Sequence, residues 1–368
     1  MEKAKVFFTK ITGSYKANLF QRIINLCYEA GLKDKIRERE FVAIKLHFGE
    51  MGNAAFIRPI FVREIVKEVK KLNAKPFVTD ANTLYVGSRS DAVSHLETAI
   101  KNGFSYATID APIIIADGLL GADEKAIDVN LKHFKEVYIG SQIMEADAII
   151  SMAHFKLHEL SGFGGSIKNI GMGAASRKGK LAQHCDIAPK VKQKKCISCG
   201  TCMKKCPGNA ISFNENKKAY INPDKCIGCG ECILLCPTGA IQIQWSNAYN
   251  SFMEKMVEYT FGVLKEKKDK SIFINFLTNI SPACDCYPFN EMPISPDIGV
   301  LVSDDIVAID RASADMLNAA PANKGSKVDS CDIKDKMKCV YPDVNWEIQL
   351  DYAEKIGLGT QNYQLIEV

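Results

Sequence analysis

No apolar run in this sequence is long enough to cross a bilayer. The most apolar stretch, Ala111 to Ala122, already contains Asp117, and a membrane helix needs about 20 apolar residues. The opening MEKAKVFFTK has neither a long apolar region nor a small-residue cleavage site, so we expect no signal peptide and a cytoplasmic protein. Charge of one sign is also scarce: the formal net charge is +4, and Lys and Arg are dispersed apart from a group between Arg177 and Lys205. That argues against nucleic acid as a partner. With 47% hydrophobic and 24% charged residues in 368, neither disorder nor a fibrous repeat is in prospect. The chain is long enough for two or three domains.

Cysteine is what the chain has in plenty. There are fourteen, and in a cytoplasmic protein metal or redox chemistry explains such a number better than a disulfide framework. Eight lie between Cys196 and Cys236, in a segment that repeats itself. KCISCGTCMKKCPGNAIS, Lys195 to Ser212, is followed thirty residues later by KCIGCGECILLCPTGAIQ, with ten of eighteen positions identical. Each copy has the spacing C-x2-C-x2-C-x3-C-P. Three thiolates of such a run can grip one [4Fe–4S] cube, and geometry sends the fourth to the other cube. We therefore expect two [4Fe–4S] clusters, one held by Cys196, Cys199, Cys202 and Cys236, the other by Cys226, Cys229, Cys232 and Cys206. Gly200 and Gly230 let the backbone approach the sulfurs closely. Zinc sites more commonly present paired C-x2-C knuckles than triplets ending in Cys-Pro. Over about fifty residues the segment resembles a bacterial-type two-cluster ferredoxin, at all eight ligands and both prolines.

On either side of this unit strands and helices alternate. Phe41–Phe48, Lys75–Thr79, Asp147–Met152, Ile272–Leu277 and Gly299–Val302 read as strands. Ile57, Ile60, Phe61, Ile65, Val69 and Leu72 recur at helical spacing. Helices are also expected from Ser303 or Asp304 to about Ala320, and from Asn345 to Ile356. The expected fold is α/β, a sheet with helices on its faces, interrupted by an inserted two-cluster ferredoxin-like α+β module. The divisions are 1–189 and 246–368 for the α/β domain and 190–245 for the insert.

Two glycine-rich segments fail as nucleotide sites. Gly179-Lys180 lacks the P-loop's first glycine and its Ser or Thr, and Gly171-Met172-Gly173 is followed by Ser176 where the dinucleotide fingerprint wants Gly or Ala. The richer stretch is His154 to Cys185, which holds three of the six histidines and follows the strand DAIISM. Open α/β sheets bind ligands at that place. Its histidines His154, His158 and His184 are therefore candidate site residues. An additional metal site is a candidate at His47, His154, Cys284 and Cys286, since two thiols flanking a carboxylate suit a metal or redox role. Cys27 reads as a buried helix residue. Cys331 and Cys339 could be incidental, a redox pair or metal ligands.

Most of the chain resembles the iron–sulfur-centre proteins that carry the domain of unknown function 362. The residues behind this are KLHFGE at Lys45, HFKLHELSGFGGSIKNIGMG at His154 and CDCYPFNEMPISPDIGVLVSDDIVAIDRASAD at Cys284. The resemblance implies no settled activity. More locally, HELSGFGGSIK is similar to the loop of nickel-pincer lactate racemases that reads roughly HFFAGFSGGRK. There the lysine anchors the cofactor and a histidine sixteen residues later ligates nickel. The corresponding positions here are Lys168 and His184, and the resemblance implies a shared ligand pocket in which His158 and His184 would serve as acid, base or metal ligand and Lys168 would hold an anion or carbonyl.

Three functions remain open. One is an oxidoreductase whose two [4Fe–4S] clusters exchange electrons with a ligand on the α/β domain. The second is a non-catalytic electron-transfer or metal-handling protein, docking a redox partner through Lys190, Lys192, Lys194, Lys195, Lys204 and Lys205. The third is a racemase or isomerase with structural clusters. The partner is accordingly a redox protein or a small-molecule substrate, and the cofactors are two [4Fe–4S] clusters with a metal or organic ligand as a further candidate.

Overall fold

A computed structural model describes residues 3–185, 188–244, 248–332 and 334–368. Segments rich in β-branched and aromatic residues form eight strands of one sheet: β1 (Ala4–Lys10), β2 (Phe41–Lys45), β3 (Lys75–Asp80), β4 (Ile113–Ile115), β5 (Ala148–His154), β6 (Ser271–Leu277), β7 (Gly299–Ser303) and β8 (Tyr363–Glu367). Their order is β8-β1-β7-β6-β5-β2-β3-β4. All neighbours are parallel except that β7 runs antiparallel to both β1 and β6. The fold is therefore α/β, with a large, mostly parallel sheet flanked by helices.

Side chains alternate between two apolar layers, as a sheet covered on both faces requires. Val42, Ile44, Ile150, Met152, Ile272 and Ile274 pack against the helices Leu19–Glu29 and Pro59–Lys71. Ala43, Ile149, Phe273 and Leu301 pack against Tyr249–Leu264, Ile306–Ala319 and Glu347–Lys355. Every residue of the central strand β5 is buried. The helix Pro59–Lys71 buries Val62, Ile65, Val66 and Val69. Ile60, expected on its apolar face, is 39% exposed, because it lies off the stripe those four residues set. Cys27 is buried in its helix, and Cys331 and Cys339 are joined as a disulfide.

The cysteine-rich segment is made of small pieces. Lys190–Val191 pairs antiparallel with Ile241–Gln242, so its two ends lie side by side. Ile211–Phe213 pairs with Ala219–Ile221, and short helices run over Thr201–Lys204 and Glu231–Leu235. Its core of Val191, Ile211, Ile221, Ile233 and Ile241 takes in Leu84 and Leu181 from the main body. The boundary at 245/246 lies outside the described residues. Among the described residues no helix is long and apolar enough to cross a membrane.

Candidate functional site

Parallel strands deliver their carboxyl ends to one edge of the sheet, and here β6, β5, β2 and β3 lie side by side. The segments that follow them, with residues from 168 to 184, enclose a cavity of about 830 Å³. That falls within the roughly 300–1,000 Å³ of small-molecule sites. The wall includes His47, His158, Lys168, His184, Cys284 and Cys286. Six of the residues singled out in the sequence, from four separate segments, thus share one cavity.

His47, just past β2, accepts a hydrogen bond at Nδ1 from the Gly49 amide at 2.9 Å. Its Nε2 is left 3.8 Å from Cys286 Sγ. His158 and His184 both stack on Phe252, at ring-centre distances of 6.3 and 4.9 Å. Burial and the neighbouring Lys168 ammonium push His158 down to about 4. Burial, His158 and Lys168 push His184 down to about 3. Both imidazoles are therefore neutral near pH 7 and able to accept a proton. Burial opposes the charge on Lys168, but Cys284, Cys286, Glu159 and Asp285 outweigh it and raise its pKa. Lys168 stays cationic, its Nζ 3.8 Å from Cys284 Sγ.

His154 does not join this group. Its Nδ1 lies 2.9 Å from Asp285 and its Nε2 2.9 Å from the Thr278 carbonyl, so both ring nitrogens are engaged in the interior. Among the described residues no group of three or more His, Cys, Asp or Glu side chains is placed to hold a metal ion. Of His47, His154, Cys284 and Cys286, the two thiols and His47 thus lie on the cavity, and His154 lies behind them.

Charged residues that no motif assigned a role complete the wall. Lys45, the last residue of β2, pairs with Asp80 at 2.9 Å and donates to Asn169 Oδ1 at 2.8 Å. Asp80, the last residue of β3, also faces Arg89 at 3.6 Å and His95 at 3.7 Å. Burial raises its pKa, but Lys45, His95, His47 and Arg89 prevail and hold it below the usual carboxylate range. Arg89 in turn pairs with Glu50 at 3.0 Å. Burial pushes the Lys180 ammonium down to about 8, despite Asp117 and Asp80. A charged residue closing an otherwise apolar strand, as in FVAIK and KPFVTD, is the signal that could have found Lys45 and Asp80.

Two small cavities lie in the cysteine-rich segment. Cys196, Cys199, Cys202 and Cys236 line one. Cys206, Cys226, Cys229 and Cys232 line the other. In each, three cysteines come from one run and the fourth from the other. Backbone amides point at sulfur, Ala210 to Cys206 at 3.3 Å and Ala240 to Cys236 at 3.2 Å. Gly200 and Gly230 sit at φ +72° and +71°, turning the chain into the short helices that carry Cys202 and Cys232. A Cβ on Gly230 would lie 3.4 Å from Leu84, which also lines the large cavity. The second cysteine set therefore abuts the cavity wall.

No curated protein matches this chain. Among solved structures, the lactate racemase apoprotein from Thermoanaerobacterium thermosaccharolyticum aligns at 16% identity with a TM-score of 0.34, over 64% of this chain and 48% of that one. This chain thus spans about half the length of that structure. A family model described as Domain of unknown function (DUF362) matches residues 42–315. Since that match takes in well over half of its residues, the chain belongs to the DUF362 family.

Proposed function

We propose that this chain is an iron–sulfur oxidoreductase, in which two [4Fe–4S] clusters exchange electrons with a small ligand held in the sheet-edge cavity. The observation that carries this is the pair of four-cysteine cavities with crossed membership, one of which abuts the ligand cavity at Leu84. The fit to cubes rather than single ions rests on the same cavities. Each cavity combines the three thiols of one C-x2-C-x2-C run with a fourth from the other, the crossed set that a cube takes, whereas zinc sites commonly present paired C-x2-C knuckles. The amides aimed at Cys206 and Cys236 are the donors that stabilise thiolate ligands. Bound clusters would supply single electrons.

The chain's own residues would do the rest. Lys168, held cationic and half-buried on the cavity wall, fixes an anionic or carbonyl group of the ligand. His158 and His184, neutral and stacked on one phenylalanine, take up or release the proton that accompanies electron transfer. The paired charges Lys45–Asp80 and Arg89–Glu50 fix the cavity floor. Electrons would enter beside Cys199, which is exposed amid the exposed Lys190, Lys192, Lys194, Lys195, Lys204 and Lys205. An acidic redox protein is the partner this surface suits.

Anaerobically reduced protein, challenged with fractions of a small-molecule extract, tests the proposal. A fraction that reoxidises the clusters of the natural chain but not of Lys168→Ala or His184→Ala would contain the substrate. Reoxidation that never depends on these residues would remove the cavity from the electron path.

A further inference from the structure

The roles given to Lys168, His158 and His184 leave one feature of the cavity without use. Cys284 Sγ and Cys286 Sγ lie 2.9 Å apart, with both residues on the cavity wall. A disulfide bond is about 2.0 Å long, so little motion separates this pair from a bond. Asp285, between them, is fully buried and bound by His154 at 2.9 Å and Lys156 at 3.1 Å. The loop is also held from outside: the Glu50 amide donates to the Asp285 carbonyl at 3.2 Å, and Tyr85 Oη donates to the Cys286 carbonyl at 3.2 Å. These anchors keep the two sulfurs together on the same cavity. His47 Nε2 stands 3.8 Å from Cys286 Sγ and Lys168 Nζ 3.8 Å from Cys284 Sγ, so a cation and an imidazole flank the pair.

We propose that Cys284 and Cys286 form a reversible thiol–disulfide couple that exchanges two electrons with the two clusters. The inference rests on the cluster assignment made above. In the reducing direction the S–S bond breaks as each cluster gives up one electron. Cys286 is left as a thiolate, and Cys284 takes one proton from water and donates it to Cys286 in a hydrogen bond. In the oxidising direction the S–S bond forms, that proton leaves, and each cluster accepts one electron. A disulfide requires two electrons and a cluster carries one, so a pair of clusters matches one such couple. Lys168 favours the thiolate by charge, as cations beside reactive cysteines do.

The tryptic peptide 271–311 carries these two cysteines and no other, which makes the couple readable by mass spectrometry. Cluster-loaded protein is treated anaerobically with diamide, freed of it, and given only enough dithionite to reduce the clusters. Samples are quenched in acid and alkylated in denaturant at each stage. The expected peptide takes no label after diamide and two labels after dithionite, while the bleached cluster absorbance returns. In Cys286→Ser the bleach should persist. A peptide that keeps two labels after diamide, with iron and sulfide intact, would overturn the couple and leave the cluster assignment standing. So would a disulfide that forms yet never restores cluster absorbance. Protein without iron and sulfide would overturn the cluster assignment, and the couple with it.

Discussion

Single residues at the cavity carry measurable costs. Asp80 is buried against Lys45, Arg89 and His95, so Asp80→Asn leaves the buried Lys45 ammonium without its carboxylate, while Arg89 keeps Glu50. Breaking one side of such a pair costs about 3–5 kcal/mol, and the denaturant midpoint should fall accordingly. His158 tests the pH dependence. Its folded pKa of about 4 lies below the ordinary imidazole value of 6.5, so the unfolded chain binds the proton first as pH falls. The stability it contributes is complete above pH 6.5 and is lost towards pH 4. Between pH 7 and 4.5 that loss is about 2 kcal/mol. His158→Asn, which keeps an acceptor for the Leu160 amide, should shrink the difference between unfolding curves at those two pH values by about this much. An unchanged difference would mean the imidazole is not buried neutral. At this scale the sequence was legible where chemistry clustered, as in HELSGFGGSIK. It was opaque where a lone charge ended a strand, because Lys45 and Asp80 acquire meaning only when β2 and β3 pair.

Elements were legible where burial is two-sided. β2, β3, β5, β6 and β7 all read as apolar runs, and each is found within one to three residues of its expected ends. β1, β4 and β8 escaped notice: AKVFFTK and YQLIE are interrupted by polar residues, Ile113–Ile115 is only three residues long, and β4 and β8 lie at the two edges of the sheet. The helix Tyr249–Leu264 also went unread, since eleven of its sixteen residues are buried and its pattern has no clear polar face. The duplicated Cys-Pro runs come together in the crossed manner that their spacing suggested, three cysteines of one run and the fourth of the other lining each small cavity. Gly200 shows how backbone serves that spacing. At φ +72° a β-branched side chain is strained. Gly200→Val should therefore disturb the turn into Cys202 and lower iron from about eight to about four per chain, with the second set intact. Iron that stays at about eight would show that the turn tolerates the change.

Over the whole molecule, three apolar cores divide the work. Two cover the faces of the sheet, and the third, within the cysteine-rich segment, takes in Leu84, Leu181 and Cys185 from the main body as buried members. With Lys190 and Gln242 paired, replacing residues 190–242 by a short flexible linker should leave the main body folded. Circular dichroism and a cooperative melt would check this, and loss of both would mean that the cores depend on each other. How the segment sits on the cavity was not legible in the sequence, since Leu84 packs into the segment's core alongside Ile233, nearly 150 positions away.

The central claim is that the two crossed cysteine sets hold redox-active cubes beside a ligand cavity. Iron, acid-labile sulfide and the spin of the reduced state, counted on one anaerobic sample, test its first half most directly. Two [4Fe–4S] clusters require about eight iron and eight sulfide per chain, and each reduced cluster should contribute one unpaired electron. Two tightly bound zinc ions, with no sulfide and no spin on reduction, would contradict the account.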